Sequence, residues 1–394
     1  MIRSCQVIAS INLDTGGPAV SVSRLAQELA ASGCDSHLLT LDYSKLGPQS
    51  HPRGTTIHSV HAGWWTRTLR GRNAQVYSIL QQLSSDLDII HNHGLWMYPN
   101  WYARSVAKKS GVPLVISPRG MLDDWAMHRR RLRKHLAWQI FERESLQIAK
   151  LIHATSFPEA EGVRKLGFSQ PIAVIPNGVD LPNLDDIPGR SHVVSQFPHL
   201  QHKKWLFFLS RIHPKKGLQE LVRSWAKLHS DFPEWHLIIS GPDSEGYRSD
   251  IEAVCSHLGL RESVTFTGPV SGDLKSALLA GSEVMVLPTH SENFGIVIAE
   301  SLAHGVPVIT TYAAPWKELE TERCGWWIED AQEALGITLK QAMETLPQTR
   351  REMGIRGREL VQRRYSWKTV GQQMYDTYKW LLGKDSQSRP NCVI

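Results

Sequence analysis

Cysteine is scarce in this chain. Five cysteines stand among 394 residues, at positions 5, 34, 255, 324 and 392, with no Cys-x-x-Cys spacing. Scattered and odd in number, they exclude a disulfide framework and a zinc site of the paired-cysteine kind, and point to a reducing cytosolic compartment. Long apolar runs are also missing: none approaches the ~20 residues that span a bilayer. The opening run from Cys5 to Ile11 is shorter than the apolar core of a secretory signal. The expectation is a cytoplasmic protein that does not cross a membrane, with a peripheral position on the inner face of the plasma membrane left open. No low-complexity tract is present, no G-x-G-x-x-G fingerprint, and no nucleic-acid module motif. His91 and His93 lack a third partner at ligand spacing, and no convincing aspartate pair exists, so neither a metal nor another cofactor is expected.

What is present is globular. Apolar residues make up 41% and charged residues 21% of the chain, and its length suits two domains with separate cores. The net charge of +6 hints at anionic ligands or an anionic surface without naming one. Tryptophan is abundant, at 14 residues. Sugars stack on such rings, although most tryptophans serve cores.

Short apolar runs alternate with amphipathic stretches, the pattern of doubly wound α/β folds. Cys5 to Ile11 reads as a strand, Asn12 to Pro18 as a loop holding Gly16 and Gly17, and Ala19 to Ser32 as a helix. Adjacent glycines before a helix either make a tight turn or let a phosphate or sugar approach the backbone. His37 to Leu41 and Thr56 to Val60 read as strands, and Ala74 to Leu83 as a helix. A strand ending in His91-Asn92-His93-Gly94 places two histidines at its carboxyl end, where open α/β sheets bind ligands. Leu114 to Ser117 is the next strand. Arg119, in its terminal loop, is either a solvated cation or a contact for a phosphate or acceptor anion. Trp125 to His135 is strongly basic and opens one long helix running to Lys150. It suits a solvated face, an anionic membrane surface or, least of all, nucleic acid. Strands at Leu151 to Ser156 and Ile172 to Ile175 lead to the turn Pro176-Asn177-Gly178-Val179-Asp180. Residues 181–200 are rich in Pro, Asp and Ser without periodicity and read as an interdomain linker.

The second half repeats the pattern. Trp205 to Leu209 is a strand followed by Ser210-Arg211-Ile212-His213-Pro214-Lys215-Lys216-Gly217 and a helix. Arg211 and Lys216 offer a planar fork and a point charge to a diphosphate. Further strands are expected at Trp235 to Ser240 and Val264 to Thr267, the latter leading into Gly268-Pro269-Val270. The stretch around which the chain is organised is His290-Ser291-Glu292-Asn293-Phe294-Gly295-Ile296-Val297-Ile298-Ala299-Glu300. An apolar strand precedes it and Gly305-Val306-Pro307-Val308-Ile309 follows. A helix starting at Asn293 to Gly295, just past a strand end, offers unpaired N–H groups and a partial positive charge to phosphate. Glu292 lies before that helix and Glu300 about two turns in. The two carboxylates therefore reach opposite ends of one elongated ligand, as a sugar nucleotide is. Helices over 332–344, 349–364 and 367–382 precede a tail, Asp385 to Ile394, that reads as disordered.

Glu292 to Glu300, with Arg211, Lys216 and Gly-Val-Pro after the helix, resembles the E-x7-E signature of retaining GT-B glycosyltransferases of group 1. The resemblance spans nearly the whole chain and implies two Rossmann-like domains facing a central cleft. It places an acceptor-side domain over 1–183, a donor-side domain over 184–366, and a helix over 367–384 crossing back to the first. It implies that Gly16 and Gly17 face the donor and that His93 lies beside the reacting carbon of the donor sugar. Arg211 and Lys216 would neutralise the leaving diphosphate without a metal, Glu292 would hold donor-sugar hydroxyls, and Glu300 the ribose. Asn293, Phe294, Gly295 and Ile296 would lie on the diphosphate, and backbone near Val270 on the base. The implied activity is hexosyl transfer from a UDP-glucose or GDP-mannose type donor, UDP being the commoner in the family. The acceptor would be a saccharide or lipid-linked hydroxyl in bacterial polysaccharide synthesis. A sugar-nucleotide epimerase, a phosphorylase or a non-catalytic nucleotide-sugar-binding scaffold remain alternatives.

Overall fold

The computed structural model describes residues 1–122, 138, 142–243, 245–384 and 388–394. They form two compact units, Met1–Gly178 with Trp367–Ile394, and Val179–Ser366. Each is built on one parallel sheet. Strands of such sheets are covered on both faces, which is why they read in sequence as short continuous apolar runs.

The first unit holds seven strands: β1 (Ile2–Ser10), β2 (Cys34–Asp42), β3 (Thr55–His61), β4 (Ile89–His93), β5 (Leu114–Ser117), β6 (Leu151–Ala154) and β7 (Ile172–Val174). Their order is β3-β2-β1-β4-β5-β6-β7. Strand order thus reverses between β1 and β4, and a sheet of this kind binds ligands beyond the carboxyl ends at that reversal. The Gly16-Gly17 loop leaves β1 there, and β4 ends there with His93. On one face Leu25 and Leu29 of helix Gly17–Ala31 pack with Met374 and Tyr378 of helix Trp367–Leu381. The two helices are close: a Cβ on Gly371 would lie 2.5 Å from Glu28 Cβ. The opposite face is filled by Leu39, Leu41, Ile90, Tyr102 and Val106.

The second unit holds β8 (Lys204–Leu209), β9 (Trp235–Ser240), β10 (Val264–Gly268), β11 (Val284–Leu287), β12 (Val308–Thr311) and β13 (Gly325–Ile328), in the order β10-β9-β8-β11-β12-β13. Here the reversal falls between β8 and β11. The loop carrying Arg211 and Lys216 leaves β8, and the loop carrying Glu292 leaves β11. Trp205, Phe207, Phe208, Trp225 and Trp316 are buried in this unit's core.

Several expectations are corrected. The tail is ordered over the described residues 388–394. Val393 is buried and bridges Ala173, while the Val174 and Ile394 N–H groups donate to Cys392 and Ile172 carbonyls. The tail thereby covers the open edge of β7, whose backbone groups would otherwise lack partners. Residues 181–200 are not an extended linker: Val193, on the short helix Arg190–Val194, and Leu200 are fully buried beside Trp205. The Arg190 guanidinium lies 3.9 Å from the Trp205 ring centroid. Single-turn elements are too short to show periodicity, which hid them. Helix Tyr98–Ser110 gives no helical signal in sequence because it opens on Tyr-Pro-Asn-Trp-Tyr, poor helix formers held by burial of Tyr102, Ala103 and Val106. The edge strand β13, Gly-Trp-Trp-Ile, lacks the alternation that would mark it in sequence. Of the long helix expected up to Lys150, the described part is Arg143–Ile148. The basic stretch Trp125 to His135 lies outside the described residues.

Candidate active site

In the second unit the site grows from two loops pressed together. After β8 the chain makes a short turn, Pro214–Lys216, capped by His213, whose Nδ1 accepts the Lys215 N–H at 3.0 Å. Gly217 follows with φ +68°, and a Cβ there would lie 1.8 Å from the Pro288 carbonyl oxygen. Only glycine permits that approach. The His290 N–H donates to Lys215 O at 2.9 Å, and Thr289 Oγ1 lies 3.1 Å from the same oxygen. The loops after β8 and β11 are thus bonded to each other at the sheet's point of reversal.

This brings Lys216 against Glu292. The lysine is 6% exposed, and its Nζ lies 2.5 Å from Glu292 Oε2. Glu292 Oε1 accepts the Asn293 N–H at 3.1 Å. A cation so far removed from water is costly without such a partner. Phe294 is buried, its carbonyl accepts from Trp316 Nε1, and its ring packs in a cluster with Trp316 and Tyr365. The cluster anchors the loop just before the helix. Gly295 caps helix Ile296–Ala303 from the left-handed region at φ +80°, and leaves the first N–H groups of the helix without intrahelical acceptors. Ile296 is half-buried beside them.

Glu300, on this helix, and Lys275, on helix Gly272–Gly281, bring two further charges. Glu300 Oε1 lies 2.7 Å from Lys275 Nζ, while Glu300 Oε2 is buried with no hydrogen-bond partner among the described residues. A buried acceptor left open is ready for a hydroxyl donor. Arg211, by contrast, is exposed and makes no ion pair among the described residues. Val270, just past β10, is half-buried against the unit's core. Lys275 carries no motif that marks it in sequence. The only available signal was a lysine on helix Gly272–Gly281, the element preceding β11.

In the first unit Gly16 has φ +99° and open space at its Cβ position, and Gly17 begins the helix. Both are exposed. His93, by contrast, is 3% exposed with both ring nitrogens engaged. Nδ1 lies 3.1 Å from Arg119 Nη2, and Nε2 lies 2.8 Å from Gln6 Oε1. Guanidinium only donates, so Nδ1 accepts and Nε2 carries the proton to Gln6. Gln6 Nε2 donates onward to Tyr378 OH at 3.3 Å, and Tyr378 OH lies 2.6 Å from His91 Nδ1. Arg119 also donates to Asn177 Oδ1 at 2.7 Å and Ser21 Oγ at 3.2 Å. Burial lowers its pKa to about 10, which leaves it charged at neutral pH. Arg119 is therefore not a solvated cation. It is the hub that orients His93. Gln6 and Tyr378, 372 positions apart, left no sequence signal of this pairing.

Burial, the neighbouring imidazoles and Arg119 keep His91 and His93 well below the usual histidine range. Burial, followed by the Arg119 charge, lowers His153 to about 3. Its Nε2 donates to Ile175 O at 2.8 Å. Unfolded, His153 takes up a proton near pH 6.5; folded, it does so only near 3. Between these values the unfolded state binds more protons, so stability falls as the solution is acidified from 6.5. Glu142, raised to about 7 by burial, acts in the opposite sense. The diagnostic is therefore a difference in slope. His153→Gln retains a donor for Ile175 O and should flatten the dependence of unfolding free energy on pH between 6.5 and 5 by up to about one proton. Denaturant titrations at several pH values measure it, and an unchanged slope would contradict a neutral buried His153.

Two parallel sheets, each with the loops that carry the candidate residues at the reversal of strand order, are the GT-B arrangement. The profile of glycosyl transferases group 1 matches residues 194–360, and that of the glycosyl transferase 4-like domain matches residues 16–178. Together they take in most of the chain, which belongs to the group 1 glycosyltransferases. It is 28% identical over 392 residues to D-inositol 3-phosphate glycosyltransferase of Arthrobacter sp. (strain FB24), covering 93% of this chain and 90% of the relative. It is 23% identical to GDP-mannose:cellobiosyl-diphosphopolyprenol alpha-mannosyltransferase of Xanthomonas campestris, over 82% of this chain and 81% of the relative. Among solved structures, sucrose-phosphate synthase from Thermosynechococcus elongatus superposes with a TM-score of 0.77 at 20% identity, covering 98% of this chain and all of that one. Anabaena HepE in complex with UDP-glucose gives 0.74 at 18% identity, over 96% of this chain and all of that one. At these identities the structural likeness establishes the fold.

Proposed function

We propose that this glycosyltransferase moves a hexose from a nucleotide sugar to a hydroxyl of a saccharide or lipid-linked acceptor, with retention at the anomeric carbon. The observation that carries the reading is the buried Lys216 ammonium, 2.5 Å from Glu292 at the start of helix Ile296–Ala303. Positive charge at a helix start, with Arg211, which makes no ion pair among the described residues, at the same end of the sheet, suits the charge that develops on a departing diphosphate. Asn293, Phe294, Gly295 and Ile296 would supply the backbone around that diphosphate. The open Glu300 Oε2 suits a ribose hydroxyl, Glu292 the hydroxyls of the donor sugar, and backbone near Val270 the base. In the first unit Gly16 and Gly17 would lie beside the donor. His93, neutral and locked by Arg119 and Gln6, would present its ring near the reacting carbon without titrating. Charge on the leaving group is met by side chains and helix, so the reaction is assigned no metal. The proton of the acceptor hydroxyl passes to the departing phosphate oxygen, and no residue is assigned as nucleophile.

Of the relatives, the cellobiosyl-diphosphopolyprenol mannosyltransferase supports a lipid-linked saccharide acceptor, as bacterial polysaccharide synthesis uses, whereas the D-inositol 3-phosphate glycosyltransferase points to a small phosphorylated acceptor. The test is product analysis with UDP-glucose and with GDP-mannose, each with and without a panel of saccharide and polyprenyl-diphosphate-linked acceptors. An α-linked product that requires an acceptor is expected. Interconversion of the donor without an acceptor would mark an epimerase, sugar phosphate formed with inorganic phosphate a phosphorylase, and binding without turnover a scaffold. Any of these would overturn the proposal.

A further inference from the structure

We propose that the second unit holds a binding site for a phosphorylated hexose at the amino-terminal end of its sheet, apart from the residues assigned to the transfer reaction. A cavity of about 440 Å³ lies there, within the usual size of small-molecule sites. It is lined by the chain just before two strands, Gly281 to Glu283 ahead of β11 and Gly305 to Pro307 ahead of β12. The four residues of β11, roughly 13 Å of strand, separate it from the loop that carries Glu292. Its walls are preformed. Helix Pro347–Arg364 is pressed on the turn at Gly305: a Cβ on Gly354 would lie 1.8 Å from the Gly305 carbonyl oxygen. The Arg190 guanidinium lies over the Trp205 ring and donates to Gly281 O at 3.1 Å and to Lys203 O.

The charges that line this cavity do not balance. Arg190, Arg350 and Arg351 face one carboxylate, Glu283. Arg350 is 3% exposed and already satisfied: Nη2 and Nε donate to Glu283 Oε2 at 2.8 and 3.0 Å, and Nη1 donates to the Ala342 and Thr345 carbonyls. That pair cancels. Arg190 and Arg351 make no ion pair among the described residues, which leaves their two positive charges unmet. Arg190 is half-buried, and burial lowers its pKa, a cost that a bound anion would relieve. A phosphomonoester carries about two negative charges at neutral pH, and guanidinium forks match its oxygens. Glu283 Oε1 has no hydrogen-bond partner among the described residues, so it can accept from a sugar hydroxyl. Among the described residues no aromatic ring lines the cavity, so nothing there would stack a nucleobase. Ile187, Pro188 and Pro307 offer an apolar wall to the C–H face of a pyranose ring instead. Unmet cations, an open carboxylate oxygen and an apolar wall together select a hexose phosphate over a nucleotide or a neutral sugar.

The test is isothermal titration calorimetry of the full-length protein with glucose 6-phosphate and with mannose 6-phosphate, against glucose and inorganic phosphate. At least one of the two hexose phosphates is expected to bind and glucose is not. Inorganic phosphate, which cannot use Glu283 or the apolar wall, should bind about 10-fold more weakly. R351Q should weaken hexose phosphate binding by about 10- to 100-fold, the effect of losing one charge-assisted hydrogen bond. Arg351 is exposed and has no hydrogen bond or ion pair among the described residues, so R351Q should unfold at the wild-type temperature, which a thermal melt checks. K216A, altered at the other end of the sheet, should bind the hexose phosphate as wild type does. No binding of either hexose phosphate, undiminished binding by R351Q, or loss of binding in K216A would overturn the proposal. So would inorganic phosphate that binds as tightly as the hexose phosphates. Donor turnover without added hexose phosphate is expected to stay unchanged in R351Q, so failure here would leave the assignment of the reaction standing.

Discussion

Lys216→Ala should lower kcat by about 10²- to 10³-fold, the effect of removing one preorganised group from a developing negative charge. The lysine sits where the loops after β8 and β11 meet, and almost none of it reaches solvent. A small flexible cation could not drift into the gap and restore the same geometry. Two effects would act together. The departing diphosphate would lose its nearest ammonium, and Glu292 would lose its 2.5 Å partner. The Glu292 side chain is 19% exposed and keeps the Asn293 N–H, so water can compensate in part. The stability cost should then be about 2 kcal/mol rather than a collapse of the fold. Lys216→Arg should not restore activity, because a planar fork cannot occupy a pocket shaped for a point charge. Steady-state kinetics, with a denaturation curve for each variant, checks this. A folded Lys216→Ala enzyme with near-wild-type turnover would remove the diphosphate role.

Gly217→Ala should give the largest loss of stability among the site variants, on the order of 3–4 kcal/mol. Gly217 lies at φ +68°, and the added methyl would fall 1.8 Å from Pro288 O. That oxygen belongs to the backbone at the end of β11, so no side-chain rotation relieves the clash. The contact breaks only if the two loops separate, which carries Lys216 away from Glu292. Gly272→Ala is the matched control. Its φ is also positive, at +53°, but nothing lies within 4 Å of the new Cβ. It should cost only about 1 kcal/mol, the left-handed backbone penalty. Chemical denaturation of the two variants separates crowding from backbone strain. Equal losses would mean that close approach of the loops is not what glycine serves at position 217.

Much of this site was legible without coordinates because its parts are local. A strand, a loop with charged residues and a helix start are contiguous in Val284 to Glu300, so burial pattern and capping chemistry suffice to read them. The same holds for Arg211 and Lys216, five residues apart in a single loop. The sequence also marks Gly16, Gly17 and His93 as lying at strand ends, since alternation of strands and helices dictates where those ends fall. Short elements were illegible, among them helix Arg190–Val194 and strand β13, because one turn or four residues cannot display a period.

Partners distant along the chain were equally invisible. That Lys216 faces Glu292, that Glu300 keeps one oxygen without a partner among the described residues, and that Arg119 orients His93 are matters of packing. His93 is the clearest case. Its place at the end of β4 follows from the residues around it, but its tautomer depends on Gln6 in the first strand, held in turn by Tyr378 in the last helix. Sequence alone determined the two α/β halves, the loops at their strand ends and the charge types in them, because hydrophobic period and backbone capping act over a few residues. Only the tertiary structure decided which charges meet, which are left open and which histidine nitrogen carries its proton. Those outcomes depend on side chains brought together from strands and helices far apart in the chain, and on the exclusion of water between them.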